Sequence, residues 1–383
     1  MMCSDPQESS SSLFSDHTYD KESFPRITTS TILEVHSDEV WDMAWSHDGT
    51  HLASASKDRT AIIWRIGLEA EPSSRVCIAE FTLRDHPFPV SCLAWSLDDS
   101  ILSTSADHLI FLWNTKTGAL MKTLKNHAET VSALVWLPDG SGFMSGSLDR
   151  KIIFWDMEGE LRGSWINIAI RVTDAAVTHD MRRLVAVGMG YNPPPTSGTL
   201  ARANVQDASP PIVSDGNDNA VGTYSPENRM IIYDLKTGQV ELSVHMEGDL
   251  TSVNISEDSR YALINHAPDE IHLWDLEEFR LARKFTGQRQ GHHVIRSCFG
   301  GIDGNFVISG SEDRNIYVWH RDTGTLLEVL EGHGLGSVNS VAWNPRNKRV
   351  FASCSDDNTI PGELIRVRHL CVRVKDDLKS KER

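Results

Sequence analysis

The chain has 383 residues, 37 of them Lys or Arg and 53 Asp or Glu, for a formal net charge of −16. An acidic surplus of that size repels phosphate and disfavours nucleic acid as a partner. The 40% hydrophobic content suffices for a large core and excludes wholesale disorder, and no run of 18 apolar residues is present to span a membrane.

The six cysteines, Cys3, Cys77, Cys92, Cys298, Cys354 and Cys371, contain no CxxC pair. This argues against a zinc site or a disulfide framework and fits a reducing compartment, cytoplasmic or also nuclear. Met1 to Asp5 offer neither a basic nor an apolar stretch, so no secretory signal is expected. Residues 1–27, Ser-rich and acidic at the start, are predicted to be flexible.

From residue 28 onward the chain repeats. Thr28–Val35 is β-prone and is predicted to supply the outer strand of the last unit, which closes a ring and removes its exposed edges. In the first unit His36 is followed by Trp45, by the small-residue strand Ala53-Ser54-Ala55-Ser56, by Asp58, and by the apolar run Ala61-Ile62-Ile63-Trp64. The second unit repeats the marks with His86, Trp95, Asp107 and Trp113, and the third with His127, Trp136, Asp149 and Trp155. Later units carry Tyr233, Trp274, Trp319 and Trp343 in the same two slots, with Asp313 six residues before Trp319. Nine of the eleven tryptophans fall in those slots at spacings of 49, 42 and 45 residues, which random placement does not produce.

The strand-like runs are short, β-branched and bounded by turn residues such as His47-Asp48-Gly49 and Lys116-Thr117-Gly118. They predict four-stranded antiparallel units, seven in number, whose third strands end at 64, 113, 155, 233, 274, 319 and an expected 363. The fourth unit is interrupted: Trp155 to Tyr233 is 78 residues, and about 191–227 is rich in Pro, Ser, Gly, Asn and Asp. That stretch is predicted to be a disordered loop between the second and third strands; the alternative is a regulated or partner-binding loop. In the seventh unit Pro361-Gly362-Glu363 stands where a strand should end in Trp, and Pro costs a central strand a ladder bond. Residues 364–383, with Arg366, Arg368, Arg373, Lys375, Lys379, Lys381 and Arg383, are predicted to be a basic, divergent C-terminal tail. Its alternating segments could still pair as edge strands.

These marks together resemble WD40 repeats. The resemblance implies an all-β, seven-bladed WD40 β-propeller over 28–363, with the fourth blade interrupted and the seventh incomplete or altered. It also implies a buried relay in each blade: an Asp accepts from His, the His meets a Ser or Thr, and that hydroxyl meets the Trp indole. The candidate members are Asp58, His36 and Trp64; Asp107, His86 and Trp113; Asp149, His127 and Trp155, through Ser145 or Ser147; and Asp313 and Trp319, with His292 or His293. A catalytic dyad or a zinc site is disfavoured, because a pair recurring in most units is structural and histidines placed one per blade cannot converge on a metal. No metal and no cofactor is expected.

The local wording is more specific. His36-Ser37-Asp38-Glu39-Val40-Trp41, Arg171-Val172-Thr173-Asp174, and Gly287-Gln288-Arg289-Gln290-Gly291 with Val294-Ile295-Arg296-Ser297-Cys298-Phe299-Gly300-Gly301 resemble the WD-repeat subunits of GID/CTLH ubiquitin ligases, of the WD repeat-containing protein 26 type, over about residues 12–360. The resemblance implies no enzyme but a scaffold or substrate-recruiting propeller in ubiquitin-dependent protein degradation. Its partners would be RING-bearing ligase subunits and substrate proteins, with no nucleic acid and no membrane. Family members carry LisH and CTLH helices ahead of the propeller. This sequence has no such helical stretch, so weaker or absent incorporation into the ligase is expected. The competing functions are a generic WD40 adaptor in signalling or RNA processing, and a propeller-fold hydrolase. The candidate partner-binding residues are Arg59, Arg150 and Arg314, each following a turn Asp, against the alternative of solvated turn arginines. Trp41 and Trp165 lie outside the two repeating slots and are either interface anchors or fillers between blades.

Overall fold

The computed structural model describes residues 26–67, 77–191, 227–291, 293–331, 333, 334, 336–356 and 364–371. Among these, the regular structure is β-strand except for one 3-10 turn, Ile302–Gly304, and no helix is long and apolar enough to cross a membrane. After β1 (Arg26–Glu34), the first sheet is β2 (Val40–Trp45), β3 (His51–Ser56), β4 (Ala61–Ile66) and β5 (Cys77–Leu83). The second is β6 (Val90–Trp95), β7 (Ile101–Ala106), β8 (Leu109–Asn114) and β9 (Leu120–Leu124), and the third β10 (Val131–Trp136), β11 (Gly142–Ser147), β12 (Ile152–Asp156) and β13 (Leu161–Trp165). The fourth is β14 (Ile170–Val177), β15 (Arg183–Gly190), β16 (Asn228–Asp234) and β17 (Val240–Met246), and the fifth β18 (Leu250–Ile255), β19 (Tyr261–His266), β20 (Glu270–Asp275) and β21 (Arg280–Thr286). The sixth is β22 (Cys298–Gly300), β23 (Phe306–Ser309), β24 (Asn315–His320) and β25 (Leu326–Glu331). The last joins β26 (Val338–Trp343), β27 (Val350–Ser355) and β28 (Leu364–Cys371) to β1, which lies outermost.

The burial of each strand follows its place in the sheet. First strands pack side by side around an axis, β2 on β6, β6 on β10, then β14, β18, β22 and β26, which returns to β2. Second strands carry small residues because neighbouring sheets approach closely near that axis. Ala53, Ser54, Ala55 and Ser56 are all buried, and a Cβ on Gly146 would stand 2.9 Å from Val172 of the next sheet. Third strands are apolar on both faces, as at Ile62, Ile63 and Trp64, because each lies between two sheets. Fourth strands face solvent, where Met121, Leu161 and Val240 are exposed. The core therefore lies between sheets: Ala53, Ala55 and Ile63 of the first pack on Val90, Leu93, Trp95 and Leu102 of the second. Radially packed four-stranded sheets of this kind make a β-propeller.

The sheets are also hydrogen-bonded to one another. In six of the first strands the register shifts at one residue, as between Val40 and Asp42, a bulge that adds twist. The bulged side chain reaches the next sheet: Ser132 Oγ donates to Val172 O at 2.6 Å, Thr173 Oγ1 to Leu250 O at 2.6 Å, and Asn339 Nδ2 to Val40 O at 3.0 Å, which joins the last sheet to the first. The first-strand tryptophans point the other way around the ring. Trp95 Nε1 donates to Ala44 O, Trp136 Nε1 to Ala94 O, and Trp45 Nε1 to Ala342 O, at 3.0–3.2 Å.

The C-terminal expectation needs correction. The third strand of the last sheet does not end at 363; it is Leu364–Cys371, drawn from the segment expected to be a tail. It is not an edge strand either. It lies between β27 and β1, with Cys354 opposite Ile365 and Glu34 opposite Leu364. The reason is ladder satisfaction: β27 and β1 each present backbone donors and acceptors, and a period-two segment such as Ile365-Arg366-Val367-Arg368 meets both. The insert expected at 191–227 falls, apart from its two end residues, outside the described residues, as do 1–25 and 372–383.

Candidate functional site

Two of the expected relays are continuous. His36 Nδ1 lies 3.0 Å from Asp58 Oδ2, His36 Nε2 2.7 Å from Ser54 Oγ, and Trp64 Nε1 donates to Ser54 Oγ at 2.9 Å. In the third sheet His127 lies 3.0 Å from Asp149 and 2.8 Å from Ser145 Oγ, which accepts from Trp155 Nε1 at 2.9 Å. Ser145 is therefore the hydroxyl member, while Ser147 bonds Glu129 O. Burial works to raise Asp149, yet the N–H of Ala128 and the ring of His127 outweigh it and hold the carboxyl below its usual range. Burial pushes His127 down against the pull of Asp149. The pair is thus an anionic Asp and a neutral ring, with Nδ1–H donating to Asp149 and Ser145 Oγ–H donating to Nε2.

The other two relays differ from expectation. His86 Nε2 meets Thr104 Oγ1 at 2.8 Å and Trp113 Nε1 donates to Thr104 at 3.0 Å, but Asp107 instead meets His108 and Thr130. The cause is turn length. Asp58 and Asp149 stand four residues after their hydroxyl, Asp107 only three. Asp107 therefore sits in a two-residue hairpin at φ 54, with Ala106 opposite Leu109, and its side chain turns outward. In the sixth sheet Asp313 accepts from Tyr317 Oη at 2.6 Å, and Trp319 Nε1 donates to Thr286 O at 3.2 Å. The histidine slot, 22 residues before the Asp, is Gly291 there. His293 faces Asp356 instead, and His292 lies outside the described residues.

Without a carboxylate on its ring, His86 is held by burial down to about 4. Its contribution to stability is complete above the unfolded value of about 6.5 and is lost as pH falls toward 4. The stability difference between wild type and His86→Gln is expected to shrink by about 2 kcal/mol from pH 7 to pH 4.5. Urea melts at both pH values measure this, and a pH-independent difference would refute the buried neutral ring.

The axis holds a charge cluster that sequence reasoning missed. Arg296 Nε lies 3.2 Å from Asp42 Oδ1 and Arg296 Nη1 3.2 Å from Asp174 Oδ2. Asp42 also accepts from the N–H groups of Met43 and Leu93, and Asp174 from those of Ala175 and Val253, so each carboxylate ties two sheets. Burial raises Asp42, and pushes Asp174 up to about 6, against the attraction of Arg296. Burial opposes the charge of Arg296 as well, but the two carboxylates raise its affinity for the proton further. The cluster borders a cavity of about 770 Å³ lined by all the first strands, β2, β6, β10, β14, β18, β22 and β26. A signal was present in the sequence: Asp42 and Asp174 occupy a slot that holds Cys92, Ala133, Ser252 and Ser340 elsewhere. Burial pushes Cys92 and Cys298 on this wall up to about 12, so neither offers a thiolate at neutral pH.

The partner-binding candidates divide. Arg59, Arg150 and Arg314 sit at second-to-third-strand hairpin tips with left-handed backbone, φ 67, 63 and 78. Arg59 and Arg314 are exposed, whereas Arg150 lies 3.7 Å over the ring of Tyr191. Trp165 fills space between sheets, 5.1 Å from Phe154 and 5.3 Å from Tyr233. Trp41 is half-buried on its bulge and donates to Glu39. In four-stranded meanders the loops entering each first strand lie at the same end as these hairpins. Phe88, Ile166 and Val294 in those loops are exposed at that end.

A ring of antiparallel sheets, tied by indole donors and by Asp–His–Ser–Trp relays, defines a repeat propeller. Comparison with known proteins gives the class its name: the family model for WD domain, G-beta repeat matches residues 27–65, 77–114, 118–156, 281–320 and 324–360. The chain belongs to the WD40-repeat family. The unmatched stretch 157–280 holds the fourth sheet and the first three strands of the fifth, where the His and Asp marks are absent. The chain is 35% identical over 356 residues to a WD repeat-containing protein 26 homolog of Arabidopsis thaliana, covering 92% of this chain and 53% of the relative. It is 36% identical over 356 residues to a WD repeat-containing protein WDS homolog of the same plant, at 91% and 60% coverage. It is 37% identical over 326 residues to GID complex subunit 7 of Schizosaccharomyces pombe, at 85% and 56% coverage. The chain thus spans a little over half the length of these relatives.

Proposed function

We propose that this chain is a non-catalytic scaffold of a GID-type ubiquitin ligase, built as one closed ring of seven blades, that presents proteins for ubiquitin-dependent degradation. The ubiquitin transfer is assigned to RING-bearing subunits on other chains, and the place of action to the cytoplasm and nucleus. The observation that carries this reading is the identity to GID complex subunit 7 over 85% of the chain. The hairpin end of the ring supports it: that end carries exposed Arg59 and Arg314 and, in the loops entering first strands, exposed Phe88, Ile166 and Val294, side chains suited to an acidic peptide with apolar anchors.

Affinity purification of the chain from cells tests the reading. RING-bearing partners are expected in the eluate. The double substitution Arg59→Glu/Arg314→Glu is expected to lower recovery of at least one partner about tenfold with an unchanged melting temperature, because exposed turn residues contribute little to folding. Recovery of signalling or RNA-processing assemblies without any RING partner would replace this reading with that of a generic WD40 adaptor.

A further inference from the structure

The fifth sheet departs from the repeat at three slots, and the three replacements meet. Counting back from the tryptophan that ends the third strand, the slot eight residues earlier holds Ser56, Ser105, Ser147 and Ser311 in four sheets and His266 in the fifth. The slot four earlier holds Thr60, Leu109, Lys151 and Asn315, and here Glu270. The slot two earlier holds Ile62, Phe111, Ile153 and Tyr317, and here His272. The relay that occupies histidines elsewhere is missing, since its hydroxyl slot is Ile264 and its Asp slot Pro268. Relay histidines come one to a sheet, whereas these two share one.

Backbone register explains why they converge. His266 and Glu270 are direct partners across β19 and β20, and His272 follows Glu270 by two residues. Strand periodicity of two places all three side chains on one face. Glu270 Oε2 lies 2.7 Å from His272 Nε2 and 3.8 Å from His266 Nδ1, and one ligand atom from each residue lies within 4.8 Å of the others. The imidazole rings stack with centroids 4.5 Å apart. The Nδ1 of His266, aimed at the carboxylate, is buried and makes no hydrogen bond.

We infer that His266, Glu270 and His272 form a binding site for a divalent transition-metal ion of the zinc class. Two imidazole nitrogens and one carboxylate oxygen would hold the ion, and its remaining position would face an adjoining cavity of about 510 Å³. Tetrahedral zinc, with bonds of about 2.0–2.2 Å, sets its ligand atoms about 3.3–3.5 Å apart. The two distances to the carboxylate, 2.7 and 3.8 Å, bracket that separation, and all three ligand atoms lie within 4.8 Å of one another, so the side chains would draw together around the ion. Two imidazoles with a carboxylate favour zinc, copper or nickel over the oxygen-seeking calcium and magnesium. The cation now on the carboxylate is Lys284, whose Nζ lies 2.8 Å from Glu270 Oε2. Its side chain is about half exposed and free to swing into water as a metal enters. The cavity is walled by Val244, His245 and Met246 of β17 as well as by the fifth sheet, so an ion there would sit at the groove between two sheets.

Calorimetric titration of the tag-free, chelator-treated chain with zinc tests the site, with visible absorption of the cobalt form as the readout of tetrahedral nitrogen and oxygen ligation. One tight equivalent is expected in wild type. His266→Gln and His272→Gln are each expected to weaken that equivalent at least tenfold and to abolish the cobalt band. Lys284→Met is expected to tighten it about tenfold, because the competing cation is gone. Absence of a stoichiometric equivalent in wild type, or uptake unchanged in both histidine variants, overturns the proposal. If His272→Gln does not fold, His266→Gln and Lys284→Met decide alone: unchanged zinc affinity in both means that the cluster is an ion pair with a neighbouring histidine and no metal site.

Discussion

Arg296→Met is expected to destabilise the protein by about 3–5 kcal/mol at neutral pH, the usual cost of leaving buried carboxylates without their counter-charge. Asp42 and Asp174 approach Arg296 from opposite parts of the ring, and each also accepts backbone N–H groups from its own strand and its neighbour's. Removing the guanidinium leaves two acids facing one cavity. The pH dependence has a definite sign. Burial already raises Asp174 to about 6, and losing Arg296 raises both acids further. A carboxyl whose folded value is raised contributes stability that is present below its unfolded value and lost as pH rises. The gap between variant and wild type should therefore narrow on going from pH 7 to pH 5. Adding Asp42→Asn and Asp174→Asn to Arg296→Met should recover most of the loss. Urea denaturation at the two pH values measures all of this, and a neutral-pH cost under about 1 kcal/mol would remove the cluster from any structural role.

Asp149→Asn is expected to cost about 1–3 kcal/mol, whereas Asp107→Asn should cost under about 0.5 kcal/mol. The two residues occupy the same slot, six before a tryptophan. Asp149 is almost fully buried and accepts from His127 and from the N–H groups of Ala128 and Lys151. Asp107 is about half exposed, and Asn tolerates its left-handed backbone. Equal effects at the two sites, by thermal or urea melts, would contradict the difference in turn length that separates them.

That contrast marks the limit of what spacing along the chain can specify. Counted from the tryptophan, Asp58, Asp107, Asp149 and Asp313 are equivalent. The chemistry instead depends on the distance from the hydroxyl to the acid, four residues or three, because one residue fewer converts the hairpin and turns the carboxylate out. Asp313 keeps its spacing but finds Gly291 where a histidine should stand, and Tyr317 takes up the carboxylate. The fifth sheet has no relay, and no repeated motif marks its His266, Glu270 and His272. No local pattern marks Arg296 either, since its partners lie 122 and 254 residues away in the chain.

What the sequence determined alone was everything local. Period-two runs, turn residues and paired tryptophans follow from contacts within one unit of forty-odd residues, and those contacts specify sheets and their order. What the tertiary structure decided was everything that depends on neighbours brought around an axis. It placed a guanidinium between two carboxylates, aimed each first-strand indole at the preceding sheet, and drew Leu364–Cys371 into a ladder with a strand more than three hundred residues earlier. Hydrogen-bond and charge satisfaction in a closed ring is a condition on the whole circuit, and no single repeat carries the information to meet it.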